Sequence, residues 1–372
     1  MPVSIDLTTL PPAVQRILGP GAPPAMKAMA AGGVAPGLKP GDVLTVIAVL
    51  TDDADAKIAD KARDTIRNLP PAILNGALSA DLEPAVLALL ADGYATNAEV
   101  VEKLLRMPRI NAAALEILAE RADEKMGEIV ATNEQRLLEN PTVIEKLYMN
   151  KRVRMSTADR ILELAVRNGL ELAIPAFKEA AQAIRNELIP EATGEPTFED
   201  KLAKEVDEIG SKIDTAVVET HDVDDEGKEK VSDKLLPLHA RLAAMTISQK
   251  IRRATLGNSA ERLLLVRDTN RLVSSAAVQS PMMNESDAAR ISASRQVSED
   301  VLRAIANNRE WTRSYQVKLN LVQNPRTPFT FSARLVVMLR DNDLRTLARS
   351  KNVPQSIQTA ARQQLSRKDK QG

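Results

Sequence analysis

The chain has 372 residues, of which 44% are hydrophobic but only 2% aromatic, with 50 Lys/Arg balanced by 50 Asp/Glu and no cysteine. That length suits two or three domains or one elongated repeat array, and the missing cysteines exclude a disulfide framework, a thiolate metal site and a cysteine nucleophile. With one Trp, three Tyr and four Phe, a core must be filled by Leu, Ile, Val, Ala and Met, which favours helices over a sandwich or barrel.

The zero net charge conceals an asymmetry. From Leu238 to the end there are 23 Lys/Arg against 10 Asp/Glu, so this part carries +13 and the preceding residues −13. The first residues, Met1-Pro-Val-Ser-Ile-Asp-Leu, contain no basic stretch or apolar core of a signal peptide. The longest strongly apolar run, Val43 to Leu50, is far below the roughly 18 residues of a membrane span, so a soluble cytoplasmic protein is expected.

Residues 1–41 are rich in Pro, Gly and Ala, as in Gly19-Pro-Gly-Ala-Pro-Pro24, and read as a loose or partly disordered arm with a short helix around Ala13 to Leu18. A first helical block is expected over 42–190. Val43, Leu44, Ile47 and Leu50 fall at helical spacing, and Asp52 to Asp55 can cap a helix over about Ala56 to Asn68 with Ile58, Ala62, Thr65 and Ile66 inside. Further helices are read over Pro70–Leu78, Pro84–Ala91 and Asn97–Arg106. Ser156 with Asp159 has the form of a capping box, and Asn168-Gly169 that of a helix end.

Residues 191–237 read as an acidic linker or insertion, since residues 191–233 hold 15 acidic residues against 5 basic. Leu202, Val206, Ile209, Ile213 and Val217 recur every three or four residues, which predicts a helix over Phe198–Val218. A basic helical block follows over 238–372. There the same punctuation recurs, a helix stop followed by a helix start: Ala277-Val-Gln-Ser280, Ile291-Ser-Ala-Ser294, Ile305-Ala-Asn-Asn308, Leu321-Val-Gln-Asn324 and Leu347-Ala-Arg-Ser350. Leu147-Tyr-Met-Asn150 repeats it in the first block. The steps between the anchors at 280, 294, 308, 324 and 350 are 14, 14, 16 and 26, the last being close to two short ones with Asp341-Asn-Asp343 as the missing cap. A helix pair then takes about 28 residues, and helices this short must be stabilised by stacking. Phe331, Leu335, Met338 and Leu339 are expected on the inner face of one of them, and Tyr315, Leu319 and Val322 on that of another.

The helix-turn-helix at Asp52 to Arg67 resembles a HEAT repeat, whereas Asn324-Pro-Arg-Thr-Pro328 and Ala348 to Pro354 resemble leucine-rich-repeat variants. The C-terminal run also resembles uncharacterised repeat proteins of myxobacteria. These resemblances imply an all-α fold, a short-helix HEAT-like or leucine-rich-repeat-variant-like α-solenoid in two blocks. Some repeat-variant proteins carry a cysteine-bound iron-sulfur cluster; without cysteine that cofactor does not carry over, and no other cofactor is read.

No dinucleotide fingerprint, phosphate loop or His-Glu-x-x-His is present. His239, beside Leu235-Leu-Pro-Leu238, reads as a partly buried or surface residue rather than a base, and His221 as part of a solvated acidic loop rather than a cation site with Asp222, Asp224 and Asp225. The turn residues Ser280, Ser294, Asn308, Asn324 and Ser350 read as helix caps rather than a ligand ladder. The basic residues in or beside the turns, Arg252, Arg253, Arg295, Arg309, Arg313, Arg326, Arg349 and Lys351, would lie along one edge of a regular stack, with Trp311 either an exposed hot spot or a buried spacer. The expected function is a non-enzymatic scaffold that binds a protein partner. The alternatives are nucleic-acid binding through phosphate contacts and cover of the basic face by the acidic segment.

Overall fold

The computed structural model describes residues 5–19, 21–187, 189, 194–213, 220–223 and 229–369. The protein is all-α: the described residues form 24 α-helices and one two-stranded hairpin. No helix among them is long and apolar enough to cross a membrane. The chain divides into two compact units, Met1–Leu172 and Ala173–Gly372, so the end of the block read over 42–190 belongs to the second unit.

In the first unit α1 (Pro12–Leu18), α2 (Pro24–Ala31), α3 (Pro40–Leu50), α4 (Ala56–Arg67), α5 (Pro71–Ala77) and α6 (Pro84–Tyr94) are followed by α7 (Ala98–Arg106), α8 (Ala112–Arg121), α9 (Glu124–Ala131), α10 (Glu134–Glu139), α11 (Pro141–Met149) and α12 (Met155–Arg167). Proline opens six of these helices, α1, α2, α3, α5, α6 and α11: a first-turn proline lacks a donor that would be unpaired there anyway.

The short helix read around Ala13 to Leu18 is present as α1, but the described part of residues 1–41 is more ordered than the loose arm read there. Pro12 and Pro24 start helices instead of preventing them, and Leu10, Val14, Leu18, Ala30 and Ala31 are buried. Other starts are side-chain capped, as at Asp55, whose carboxylate accepts from the Lys57 amide, and at Asn97 and Asn111. The capping box read at Ser156 does not form: Arg154 is the N-cap of α12, and Ser156 lies inside the first turn. Its other end is as expected, with Gly169 at φ +70° after Asn168.

In the second unit α13 (Phe177–Ile184) and α14 (Phe198–Ser211) precede β1 (His221–Val223) and β2 (Glu229–Val231), which pair antiparallel with His221 opposite Val231. Then come α15 (Leu236–Ala243), α16 (Ile247–Leu256), α17 (Ser259–Leu265), α18 (Arg271–Val278), α19 (Glu285–Ala293), α20 (Glu299–Asn307), α21 (Tyr315–Gln323), α22 (Phe329–Val336), α23 (Asp341–Arg349) and α24 (Gln355–Asp369). The acidic segment thus contains a capped helix, with Thr197 and Asp200 closing a capping box and Leu202 and Val206 buried. Residues 214–218 of the longer helix read there lie outside the described residues.

Helices pack on their second neighbours: α4 on α6 and α6 on α8 in the first unit, α16 on α18, α18 on α20 and α19 on α21 in the second. Side-chain bonds follow the same interval. Lys146–Glu120, Arg154–Glu124, Asn324–Ser294 and Arg334–Ala306 join residues 26, 30, 30 and 28 apart, close to the length of one helix pair. The core is aliphatic, and Tyr148 is the one aromatic among its largest fully buried side chains. Close approach is tight at Gly127, where a Cβ would stand 2.8 Å from Val153.

Three local expectations change. Asp341 and Asp343 do not cap α23, whose N-cap is Arg340; they lie in its first turn and bond Lys368 and Tyr315. In α21 the buried residues are Val317, Leu321 and Val322, while Tyr315 and Leu319 are half-buried. In α22 Ser332, Leu335 and Val336 face inward, and Met338, beyond the helix end, is exposed.

Candidate interaction surface

The recurring turns share one construction. The side-chain oxygen of the anchor accepts from the amide two residues on: Arg152 at Asn150, Met282 at Ser280, Gln296 at Ser294, Arg326 at Asn324 and Asn352 at Ser350. The residue three on is then buried as a plug, namely Val153, Met283, Val297, Thr327 and Val353. This is the local turn chemistry to which Asn and Ser are suited. Some anchors also reach back one helix pair. The Asn324 amide donates to Ser292 O at 2.9 Å and Ser294 O at 2.7 Å, Asn150 donates to Ala119 O at 3.0 Å and Ala122 O at 2.8 Å, and the Ser280 hydroxyl donates to Thr255 O at 2.7 Å. Their polar groups are therefore engaged in satisfying helix ends.

Asn308 departs from the pattern. Its side chain accepts from the amides of Glu310 and Trp311, but the plug position holds Trp311, which is only half-buried and starts a short 3-10 turn, Trp311–Arg313. Arg309 and Arg313 on either side of it are exposed.

The basic residues read as one edge do not all reach the surface. Arg295, Arg309, Arg313, Arg326, Arg349 and Lys351 are exposed, but Arg252 is buried and the Arg253 side chain retains only 11% exposure. Both lie on α16, which packs on α13, α17 and α18 and cannot turn two adjacent arginines outward. Arg253 is held between Asp207 at 2.6 Å and Glu261 at 2.8 Å. Burial works against its charge, but these carboxylates outweigh it and hold the guanidinium above its ordinary range. The exposed residues also divide. Because Asn324 bonds Ser294, the turns carrying Arg295 and Arg326 stack, whereas Trp311 and its arginines follow α20 in the alternate row. The Arg326 guanidinium donates to Gln296 O and Val297 O, both at 3.3 Å.

The acidic segment meets this block directly. Besides Asp207 with Arg253, Glu205 pairs with Arg241 at 2.8 Å and Glu229 with Arg267 at 3.4 Å. Beside the hairpin lies a cavity of about 310 Å³ lined by both histidines, His221 and His239, with Lys250, Arg267 and Asp268. Burial and the neighbouring Arg267 pull His221 down to about 4. Its Nδ1 accepts from Arg267, so the neutral ring carries its proton on Nε2 and acts as a donor at neutral pH, not as a base. Burial pulls Arg267 itself down to about 10, which leaves it charged at neutral pH. Lys250 pairs with Asp268 at 3.3 Å. The cavity's cations are matched by carboxylates, an arrangement suited to holding acidic groups in place.

No family model matches the chain, and no curated protein matches it.

Asp224 and Asp225, weighed with His221 as a cation site, lie outside the described residues, and the described residues contain no group of three or more metal-ligating side chains. Two features had no signal in the sequence. Arg267 follows an apolar run, Leu263 to Val266, with nothing to mark its partners on the hairpin. In the first unit a groove of about 820 Å³ is lined by Asp92, Glu120, Arg121, Lys146, Lys151 and Arg152, drawn from separate helices and turns. Arg121 pairs there with Asp92 at 2.5 Å and Lys146 with Glu120 at 3.0 Å; exposed pairs of this kind contribute little stability.

Proposed function

We propose that the protein is a non-enzymatic helical-repeat scaffold of HEAT-like or leucine-rich-repeat-variant-like type that binds a protein partner. The observation that carries this reading is the departure at Asn308. At five comparable turns the third residue is a buried plug; at this one it is a half-buried Trp flanked by two exposed arginines. Departures from a structural rule concentrate at functional positions, and Trp and Arg dominate protein-binding hot spots. Packing on second neighbours and bonds one helix pair apart support the repeat reading.

The test compares affinity capture from the native cell by the wild-type chain, Trp311→Ala and Arg309→Glu/Arg313→Glu, with thermal melts confirming that each variant folds. Proteins retained by the wild type and lost by both variants are the expected result. Identical recovery from all three would refute the role of Trp311. The exposed Arg309, Arg313, Arg349 and Lys351 favour one second reading, nucleic-acid binding, for which affinity must fall steeply with salt. Titrating labelled duplex DNA at two salt concentrations decides it; absence of binding at the lower one removes that reading.

A further inference from the structure

The turn at Ser294 differs from its neighbours in what occupies it. The Glu229 carboxylate sits on it with both oxygens engaged: Oε2 accepts from the Ser294 hydroxyl at 2.8 Å and Oε1 from the Arg295 amide at 2.9 Å. The Arg267 guanidinium approaches Oε2 at 3.4 Å and donates from Nε to the Ser294 hydroxyl oxygen at 3.1 Å. One residue further on, the Gln296 side chain donates to the Glu229 carbonyl at 2.5 Å. The Arg267 and Glu229 side chains keep 12% and 15% of their exposure. A hydroxyl, a backbone amide and a guanidinium converging on two oxygens form a carboxylate-binding site. Glu229 arrives from a two-stranded hairpin with three residues in each strand, and isolated hairpins are marginal in water, so its seat depends on these contacts.

We infer that the Ser294 turn, with Arg267 and the Arg295 amide, is a binding site for an acidic side chain of a partner protein, and that Glu229 occupies it as an internal competitor. The neighbouring surface fits such a partner. Arg295 and Arg326 are exposed on the two stacked turns, and a peptide carrying several carboxylates can engage them together with the vacated seat. An intramolecular competitor acts at an effective concentration of order mM, so removing its carboxylate raises the affinity of a weakly binding acidic peptide by about tenfold or more.

This inference rests on the protein-binding reading but concerns a different surface from Trp311, and its probe is synthetic. Binding of fluorescein-labelled decaglutamate to the full chain is measured by anisotropy for the wild type, Glu229→Gln, Glu285→Gln and the double variant Glu229→Gln/Ser294→Ala, each checked by a thermal melt. Glu285 is exposed in the first turn of α19, so its variant removes the same charge elsewhere. The expected result is a gain of about tenfold for Glu229→Gln, none for Glu285→Gln, and loss of the gain in the double variant. An unchanged Glu229→Gln, an equal gain for Glu285→Gln, a gain that survives Ser294→Ala, or a gain for labelled DNA in place of the peptide would each overturn it. Failure of the Trp311 capture experiment with success here would leave this site standing while removing the other, and the reverse holds equally.

Discussion

Asn324 and Asn308 both anchor turns at helix ends but use their side chains differently, so Asp substitution separates them. The Asn324 side chain is buried at 4% exposure, donates to Ser292 O and Ser294 O, and accepts from the Arg326 amide at 3.0 Å. Asn324→Ala leaves two carbonyls and one amide without these partners. A buried group left unsatisfied costs about 1–3 kcal/mol, and partial hydration of the opened site brings the expected total to about 2–4 kcal/mol. Asn324→Asp keeps the acceptor but sets an anionic oxygen against two carbonyl oxygens, so it should exceed the Ala variant by about 1 kcal/mol or more. The Asn308 carboxamide, in contrast, is used as an acceptor from Glu310 N at 2.9 Å and Trp311 N at 3.3 Å. Asn308→Asp preserves both bonds and should stay within about 0.5 kcal/mol of wild type. Urea unfolding at pH 7 followed by the fluorescence of Trp311, the single tryptophan, reports on this unit for all three variants. Equal losses for Asn324→Asp and Asn308→Asp would refute the assignment of Asn324 as a donor to the preceding helix end.

Asp287→Ala should destabilise the second unit by about 3–5 kcal/mol, because it strands the Arg262 guanidinium, 4% exposed and 3.0 Å from the carboxylate, as an unpaired buried charge; the double replacement Arg262→Met/Asp287→Leu should lose far less, and both are read by the same urea curves. His221 should give hairpin docking a pH dependence. Its folded value of about 4 lies below the ordinary 6.5, so protons favour the undocked state: docking is fully stable above about pH 6.5 and weakens as pH falls towards 4. Arg267, Glu229, His239 and Asp222 are the charged groups acting on that ring; proton NMR of the His221 ring should show the low midpoint, and a midpoint near 6.5 would contradict it. Gly127→Ala should cost about 1–3 kcal/mol by driving a Cβ into Val153, measured by thermal unfolding; a neutral result would mean that α9 can move away.

The sequence by itself determined the fold class and the local punctuation. Few aromatics and period-3.6 aliphatic patterning leave helix as the way to bury this chain, and Ser280, Asn308, Asn324 and Ser350 stand at helix ends because short side-chain acceptors satisfy amides two residues away. The interval of about 28 residues read from the anchors reappears as the separation of bonded side chains.

Tertiary structure alone decided which charges face water. Arg252 and Arg253 are adjacent in sequence to ordinary helix residues, and only the packing of α16 on three other helices buries them. Beyond the short helix around Ala13 to Leu18, the order within residues 5–41 was hidden for a similar reason, since proline-rich composition does not reveal that Pro24 stands where a helix tolerates it. Glu229 and Ser294, 65 residues apart, come together through the hairpin. Local patterns encode secondary structure because neighbouring residues share one backbone; pairing between distant charges depends on burial and distance, which exist only once the helices have packed.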